Sequence, residues 1–147
     1  MNTLKRDYEF EKSLEREYEE AKRNGDEAAI EIIRKKHELF ESDLKNAGST
    51  YCMMYSLYSD AKNRGNELVD VSEPHQYNDA EKLITAFRHY GIEKFVFTSG
   101  WSSATETAWN FTKLGCKLEG LVEINGRTKA FMSDKLEKVH GFLFSVN

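Results

Sequence analysis

Apolar residues recur at helical spacing through the first third of the chain, and charged residues fill the positions between them, a pattern typical of solvent-facing helices. Asn24 and Gly25 tolerate the left-handed backbone conformation that ends helices, and Asp26 can cap a following helix. We therefore predict a charged antiparallel helical hairpin or arm over residues 1–47. Its two stripes comprise Leu4, Tyr8, Leu14, Tyr18 and Ala21, then Ala29 or Ile30, Ile33, His37, Phe40, Leu44 and Ala47.

A third helix is predicted after Gly48, because Ser49 or Thr50 can cap it and an aromatic stripe follows. The stripe has two interpretations, since aromatic residues at helical spacing form either a packed core face or a partner-binding face. It consists of Tyr51, Met54, Tyr55, Tyr58 and Ala61.

From residue 66 short apolar runs alternate with helical stripes, which predicts the order β-α-β-α-β-β-β. Asn125-Gly126 is a strong signal for a tight turn, so a separate strand should run back from it. We predict an α/β (α+β) fold in which residues 48–147 form the α/β domain around a mixed, partly parallel sheet. The strands are ELVDV, KFVFT, CKLEGLVEI, RTKAFM and VHGFLFSV, and the capping boxes of the two helices are Asn78 with Glu81 and Ser103 with Glu106.

Composition excludes several classes of protein. A chain of 147 residues with 39% hydrophobic content can bury a core, and a formal net charge of −4 makes direct nucleic-acid binding an unfavoured function. No apolar run approaches the roughly 20 residues of a membrane helix. The charged N-terminus lacks a signal peptide, so we expect a cytoplasmic protein with no membrane partner. Cys52 and Cys116 are too few for a disulfide framework, and no metal-ligand spacing occurs, so we predict no metal and no cofactor.

The segment FVFTSGWSS carries the candidate ligand site. Its Ser-Gly-Trp-Ser-Ser turn follows a predicted parallel strand and opens a helix, where α/β sheets bind ligands and helix N–H groups attract anions. A nucleotide- or phosphate-binding domain, or a small hydrolase, could use such a crevice. An ordinary structural cap explains the same residues, and the Walker A, GxGxxG and GxSxG motifs are absent, so no catalytic residue is predicted. The crevice would comprise Asp70, His75, Ser99, Gly100, Ser102, Ser103 and Glu123.

Protein binding is the other interpretation. Tryptophan is enriched among the residues that dominate interface energies, so an exposed Trp101 would be an anchor. The tyrosine stripe and a basic segment of the second predicted helix could add to the same contact, and a homodimer that pairs through the helices is a third hypothesis. The predicted partner-binding residues are Trp101, Tyr51, Tyr55, Tyr58, Arg34 and Lys35.

The segments W-S-S-A-x-E-T-A-W and L-E-G-L-V-E-I-N resemble an uncharacterised family of small hypothetical proteins from mobile elements of Gram-positive bacteria. The resemblance covers most of residues 60–147 and is looser over the helical hairpin. It implies no activity and no site residue. It does imply a setting of plasmids, integrative elements or phages, whose small proteins often counter host defence. We therefore expect a small non-enzymatic interaction protein, an anti-defence (anti-CRISPR-like) inhibitor that binds a host nuclease or nucleoprotein complex.

Overall fold

The structure, a computed structural model, describes residues 3–72, 77–99 and 102–147. Its contacts divide the chain into two compact units, Met1–Tyr55 and Ser56–Asn147, which we name unit 1 and unit 2. The division falls within one helix, Ser49–Asn63. The domain boundary predicted between residues 47 and 48 stays a prediction, because a compact unit is not thereby a separately folding domain.

Unit 1 is helical and consists of α1 (Thr3–Arg23), α2 (Glu27–Asn46) and the first part of α3 (Ser49–Asn63). The predicted hairpin of α1 and α2 is confirmed, and Leu14 and Ala21 of α1 are buried against Ile33 of α2. The carboxylate of Asp26 accepts a hydrogen bond from the Ala29 N–H at 3.1 Å, which confirms the predicted cap. This bond satisfies one of the amides that the first turn of a helix leaves unpaired.

Unit 2 contains a four-stranded mixed sheet in the order β1-β2-β4-β3. β1 and β2 are parallel, whereas β4 runs antiparallel to both β2 and β3. The predicted fold class is confirmed. The last strand along the sequence lies inside the sheet rather than beyond β3, so the three strands of like direction are not all neighbours. The elements after α3 are β1 (Val69–Val71), α4 (Tyr77–His89), β2 (Lys94–Phe97), α5 (Ala104–Lys113), β3 (Lys117–Lys129) and β4 (Leu136–Ser145).

Five phenylalanines form the core of unit 2. Phe95 and Phe97 of β2 share one face of the sheet with Phe144 of β4, because Phe95 and Phe144 are in register and side chains alternate along a strand. Phe87 of α4 and Phe111 of α5 cover them, with ring centroids 5.1 Å and 5.0 Å from that of Phe95. All five are at most 1% exposed. We name this side of the sheet the helical face and the opposite side the far face.

The turn predicted at Asn125-Gly126 is wrong. β3 continues through both residues and ends at Lys129, so RTKAFM is not a separate strand. The chain reverses over residues 130–135 instead. The Asn125 N–H donates to Asn66 Oδ1 at 3.0 Å, and this contact with a segment distant in sequence holds the dipeptide in the strand.

The two predicted capping boxes also differ from expectation. Ser103 occupies the N-cap of α5, but its side chain makes no capping hydrogen bond. α4 begins at Tyr77, so Asn78 lies within the first turn rather than before it. The buried rings of Phe87 and Phe111 show that both helices are held by apolar packing on the sheet.

Candidate functional site

Two arginines and two aspartates form a charge network in unit 2. Arg64, which follows α3, places Nη2 3.0 Å from Asp60 Oδ2 and in a close ion pair with Asp70 Oδ1 of β1. Arg127 of β3 lies 3.0 Å from the same Asp60 oxygen and 3.3 Å from Asp70 Oδ2. Asp70 is 1% exposed, so its charge depends on these arginines for compensation. The network therefore joins α3, β1 and β3.

Asparagine side chains extend this network to the backbone of β3. Arg64 Nη1 and Asn66 Nδ2 both donate to the carbonyl oxygen of Asn125, at 2.6 Å and 2.9 Å. In return Asn125 Nδ2 donates to the Arg64 carbonyl oxygen at 2.8 Å. Gly65 lies between the two donors with φ +77°, a backbone conformation that favours glycine. These reciprocal bonds fix the position of β3 against the end of α3.

The side chains of the charge network are engaged in ion pairs, so the network is poorly suited to proton transfer. Burial by itself would lower the pKa of Arg64, but the carboxylates of Asp70 and Asp60 outweigh it, so this pKa is raised above its ordinary value. The contact of Asp70 Oδ2 with Arg127 is an ion pair without an aligned hydrogen bond. Both oxygens of Asp70 thus face cations, which leaves this carboxylate poorly placed to act as a general base.

The described residues do not assemble the predicted crevice as one site. Asp70 is in register with Val96, which is in register with Leu143, so all three point to the far face. Glu123 pairs with His140, three residues from Leu143, and therefore points to the helical face. There its Oε2 lies 3.7 Å from His140 Nε2. The two carboxylates of the predicted crevice are on opposite faces of the sheet.

The serine loop lies where the sequence predicts it, between β2 and α5. Ser99 follows the strand closely, and Ser102 and Ser103 precede the helix. Whether this loop binds a ligand stays a prediction. Outside the described residues lie His75, Gly100 and Trp101.

Tyr51 and Tyr55 of the predicted partner-binding set are buried, at 7% and 5% exposure. The Tyr51 hydroxyl donates to the carboxylate of Asp7, and that of Tyr55 donates to Glu11 Oε1 at 3.1 Å. Burial and then the Asp7 hydrogen bond raise the pKa of Tyr51 to about 12, and burial with the Glu11 charge raises the pKa of Tyr55. These rings pack unit 1, so a partner could reach them only if they left the core.

The other predicted partner-binding residues are more accessible. Tyr58 in unit 2 is half-buried, and Lys62 Nζ lies 5.5 Å from its ring centroid. In unit 1, Arg34 is paired with Glu31 at 3.0 Å and Lys35 is exposed. Their contact with a partner stays a prediction.

Three exposed apolar residues lie together on the helical face of β3 and β4. Leu121 is in register with Phe142, and Leu118 with Phe144, the next residue of β4 on that face. We name Leu118, Leu121 and Phe142, which are 48%, 67% and 38% exposed, the sheet patch. The sheet patch could not be predicted from the sequence pattern, because a bulge between Leu118 and Gly120 interrupts the alternation of side chains along β3. This bulge brings two leucines three positions apart onto one face.

A second exposed apolar feature is the turn between β3 and β4. Phe131 and Met132, which we name the hairpin tip, are 93% and 92% exposed. Met132 has φ +55° and is the only non-glycine residue with positive φ in the described ranges. Ala130 N–H donates to Lys135 O at 2.9 Å across the base of the turn. Both residues were predicted within the strand RTKAFM, so their exposure was missed; the turn residues Ser133 and Asp134 beside them were the signal that could have located it.

The sequence model of one protein family, described as Domain of unknown function (DUF7698), matches residues 53–146. This match covers more than half of the chain. The chain belongs to the DUF7698 family. No curated protein and no solved structure matches it. The predicted membership of an uncharacterised family is therefore confirmed in this coarse form, and an origin in mobile elements stays a prediction.

The DUF7698 match contains the charge network, the sheet patch and the hairpin tip, whereas α1 and α2 lie outside it. The described ranges contain no group of three or more His, Cys, Asp or Glu side chains that could hold a metal ion. None of the helices described is both long and apolar enough to span a membrane. A property common to DUF7698 members is therefore best sought in the surface features of unit 2.

Proposed function

We propose that this DUF7698 protein is a non-enzymatic interaction protein that binds a host protein through the sheet patch. The observation that carries the proposal is the exposure of Leu118, Leu121 and Phe142 side by side on the face of the sheet where α4 and α5 cover Phe95 and Phe144. Single exposed apolar residues are ordinary on protein surfaces, whereas adjacent ones mark binding surfaces. The sheet patch is thus a candidate centre of an interface.

The energy available from the sheet patch is of the right order for such a centre. Fully burying one leucine or phenylalanine side chain stabilises by about 1.5–3 kcal/mol, so covering the exposed fractions of all three contributes about 2–5 kcal/mol. Association costs about 4–15 kcal/mol, so polar contacts have to supply the rest. β3 is an edge strand of the described sheet. Its outer N–H and C=O groups before Asn125, whose own backbone groups bond to Arg64 and Asn66, can pair with a strand of the partner.

The charge network supports the non-enzymatic part of the proposal. Asp70 is the most buried carboxylate among the predicted ligand-binding residues, and it is engaged by Arg64 and Arg127. Glu123 faces the other side of the sheet. The predicted acidic residues are therefore not placed to act on one substrate.

We further propose that the partner is a host nuclease or nucleoprotein complex and that the protein is an anti-defence (anti-CRISPR-like) inhibitor. It would act in the cytoplasm and be encoded by a phage or another mobile element. The resemblance of L-E-G-L-V-E-I-N to mobile-element proteins supports this proposal. Residues 118–125 are this segment, so the residues that carry the resemblance include two members of the sheet patch, Leu118 and Leu121.

The test is affinity capture with the tagged full chain from a lysate of a Gram-positive host that expresses a nuclease defence system. Leu121→Ser should lose a nuclease or nucleoprotein complex that the wild type retains. Trp109→Ser is the matched control, because Trp109 is 62% exposed on α5 and lies outside the sheet patch.

Identical captures by wild type and Leu121→Ser would refute the sheet patch as the binding surface. If Leu121→Ser instead loses a partner unrelated to nucleases, the protein would still be an interaction protein, but the proposal of an anti-defence inhibitor would be refuted. Inhibition of the captured nuclease by wild type, and its loss in Leu121→Ser, would establish the inhibitor.

A further inference from the structure

The hairpin tip carries apolar and basic chemistry that the sheet patch does not use. Phe131 and Met132 project almost fully into solvent, and Lys129 and Lys135 beside them are exposed. Neither lysine forms an ion pair with a described residue. Residues 127–138 contain four basic and two acidic side chains, in a chain whose net charge is −4. The turn is therefore a basic, apolar projection on an acidic protein.

The backbone of the turn is held in one shape. Ser133 N–H donates to Ala130 O at 3.0 Å, and Lys135 N–H donates to Ser133 Oγ at 3.0 Å. Met132 is held in the left-handed conformation, which a side chain of its type adopts rarely and which persists where the surrounding structure imposes it. A projection that is already ordered loses little conformational freedom when it binds.

A groove between α1 and α2 in unit 1 has the complementary chemistry. It is an open depression of about 340 Å³, and Ile32 and Ile33 are among the residues that line it. Ile32 is 56% exposed, so it gains from being covered. Glu17 and Glu20 also line it, and they form no ion pair with any residue in the described ranges. Lys36 also lines this acidic groove and has the opposite charge.

We propose that the acidic groove of one molecule binds the hairpin tip of a second copy of this chain. Phe131 and Met132 would cover Ile32, while Lys129 and Lys135 would face Glu17 and Glu20. The two surfaces have complementary charges and are both carried by the same sequence, which favours a second copy of the chain as the occupant. This contact goes beyond the proposed function, because it uses neither the sheet patch nor the edge of β3.

Each molecule has one hairpin tip and one acidic groove, so the contact joins unlike surfaces. Such contacts either close, here as a reciprocal dimer, or extend into a chain of molecules. In both cases each contact requires one intact hairpin tip and one intact acidic groove. Complementation between two variants can therefore test the contact directly.

The first experiment is sedimentation velocity on the full chain from about 10 µM to 1 mM, the range of weak to moderate affinities. The wild type should associate with rising concentration. A tip variant, Phe131→Ser/Met132→Ser, and a groove variant, Glu17→Lys/Glu20→Lys, should each stay monomeric. Leu39→Ser is the matched control, since Leu39 is 63% exposed on α2 and does not line the groove. It should associate like the wild type.

Mixing supplies the decisive readout. The tip variant keeps an intact groove and the groove variant keeps an intact tip, so the mixture should form a 1:1 complex that neither forms alone. Reversing the tip charges with Lys129→Glu/Lys135→Glu should weaken self-association at least about tenfold, because like charges then face each other. Combining this reversed tip with the groove variant should restore association, which would also show that both variants are folded.

Three results would overturn the proposal: a monomeric wild type over the whole range, association unchanged in the groove variant, or a mixture that stays monomeric. Leu121→Ser should associate like the wild type. The self-association of Leu121→Ser separates this contact from the proposed function. The sheet patch can fail to bind a host partner while self-association persists, and self-association can be absent while the sheet patch binds its partner.

Discussion

Replacing Arg64 with methionine should destabilise unit 2 by about 3–5 kcal/mol, the usual cost of removing one partner of a buried ion pair. The change leaves Asp70, at 1% exposure, without its closest cation. It also removes the 2.6 Å hydrogen bond to the Asn125 carbonyl oxygen. Arg127 remains 3.3 Å from Asp70, but its side chain is 48% exposed and compensates only in part. We therefore expect a value near the lower end of this range.

A double-mutant cycle isolates the charge effect from the loss of packing. Asp70→Val places an apolar side chain next to Val96 on the far face and leaves Arg64 with its Asp60 partner at 3.0 Å. The double variant contains no uncompensated buried carboxylate, so it should be more stable than the sum of the two single effects predicts. The expected coupling is about 1–3 kcal/mol.

Urea unfolding followed by tryptophan fluorescence is the assay, because both tryptophans of the sequence fall within unit 2. The free energy of unfolding is extrapolated to water for the four members of the cycle. A cost below about 1 kcal/mol for Arg64→Met, the scale of an exposed ion pair, would refute the argument. So would additive single effects, since they would show that Asp70 does not depend on Arg64.

Three further predictions concern other parts of the chain. Through Tyr51, the stability of unit 1 should be complete below pH 10 and fall by up to about 2.7 kcal/mol as pH rises to about 12, because the unfolded state releases the Tyr51 proton first, and the raised pKa of Tyr55 adds to this fall. Urea midpoints should show a smaller but not absent fall in Tyr51→Phe, and equal falls would contradict this. Gly141→Ala should cost about 1–3 kcal/mol in thermal unfolding, since its Cβ would lie 2.5 Å from Val96 Cγ1, and an unchanged melting temperature would show that the site has room. Asp26→Ala should lower the free energy of unfolding by about 1 kcal/mol, because the hydrogen bond from Ala29 N–H is lost, whereas Asp26→Asn should keep most of the stability that this bond supplies. Equal losses for the two variants in urea unfolding would show that the cap is not the cause.

The helices could be predicted from the sequence because their signals are local. Asp26 caps α2 as expected, since the carboxylate and the amide that it contacts are three residues apart. Asn125-Gly126 favours a turn by itself, yet it stays in β3 because Arg64 and Asn66, distant in sequence, bond to it. The position of β4 between β2 and β3 likewise depends on pairings between distant segments.

The candidate site could be predicted less well because local patterns do not report exposure. Tyr51 and Tyr55 have the spacing of a core face and of an interface alike, and only their contacts with α1 show that they are buried. Leu118 and Leu121 would lie on opposite faces of a regular strand, and the bulge brings them together. Phe131 was predicted within the strand RTKAFM, although the turn residues beside it were a local signal of its exposure.

The place of β4 has a consequence for synthesis on the ribosome. β1, β2 and β3 leave the exit tunnel first, yet within the described sheet the only ladder among them that does not need β4 is that of β1 with β2, which has three residue pairs. A two-stranded ladder alone is marginally stable, and the nascent β2 and β3 each present an edge open to wrong pairing. Completion of the sheet therefore awaits the emergence of Leu136–Ser145. A nascent chain that stalls before this segment keeps these edges unpaired, and such edges make folding intermediates prone to aggregation.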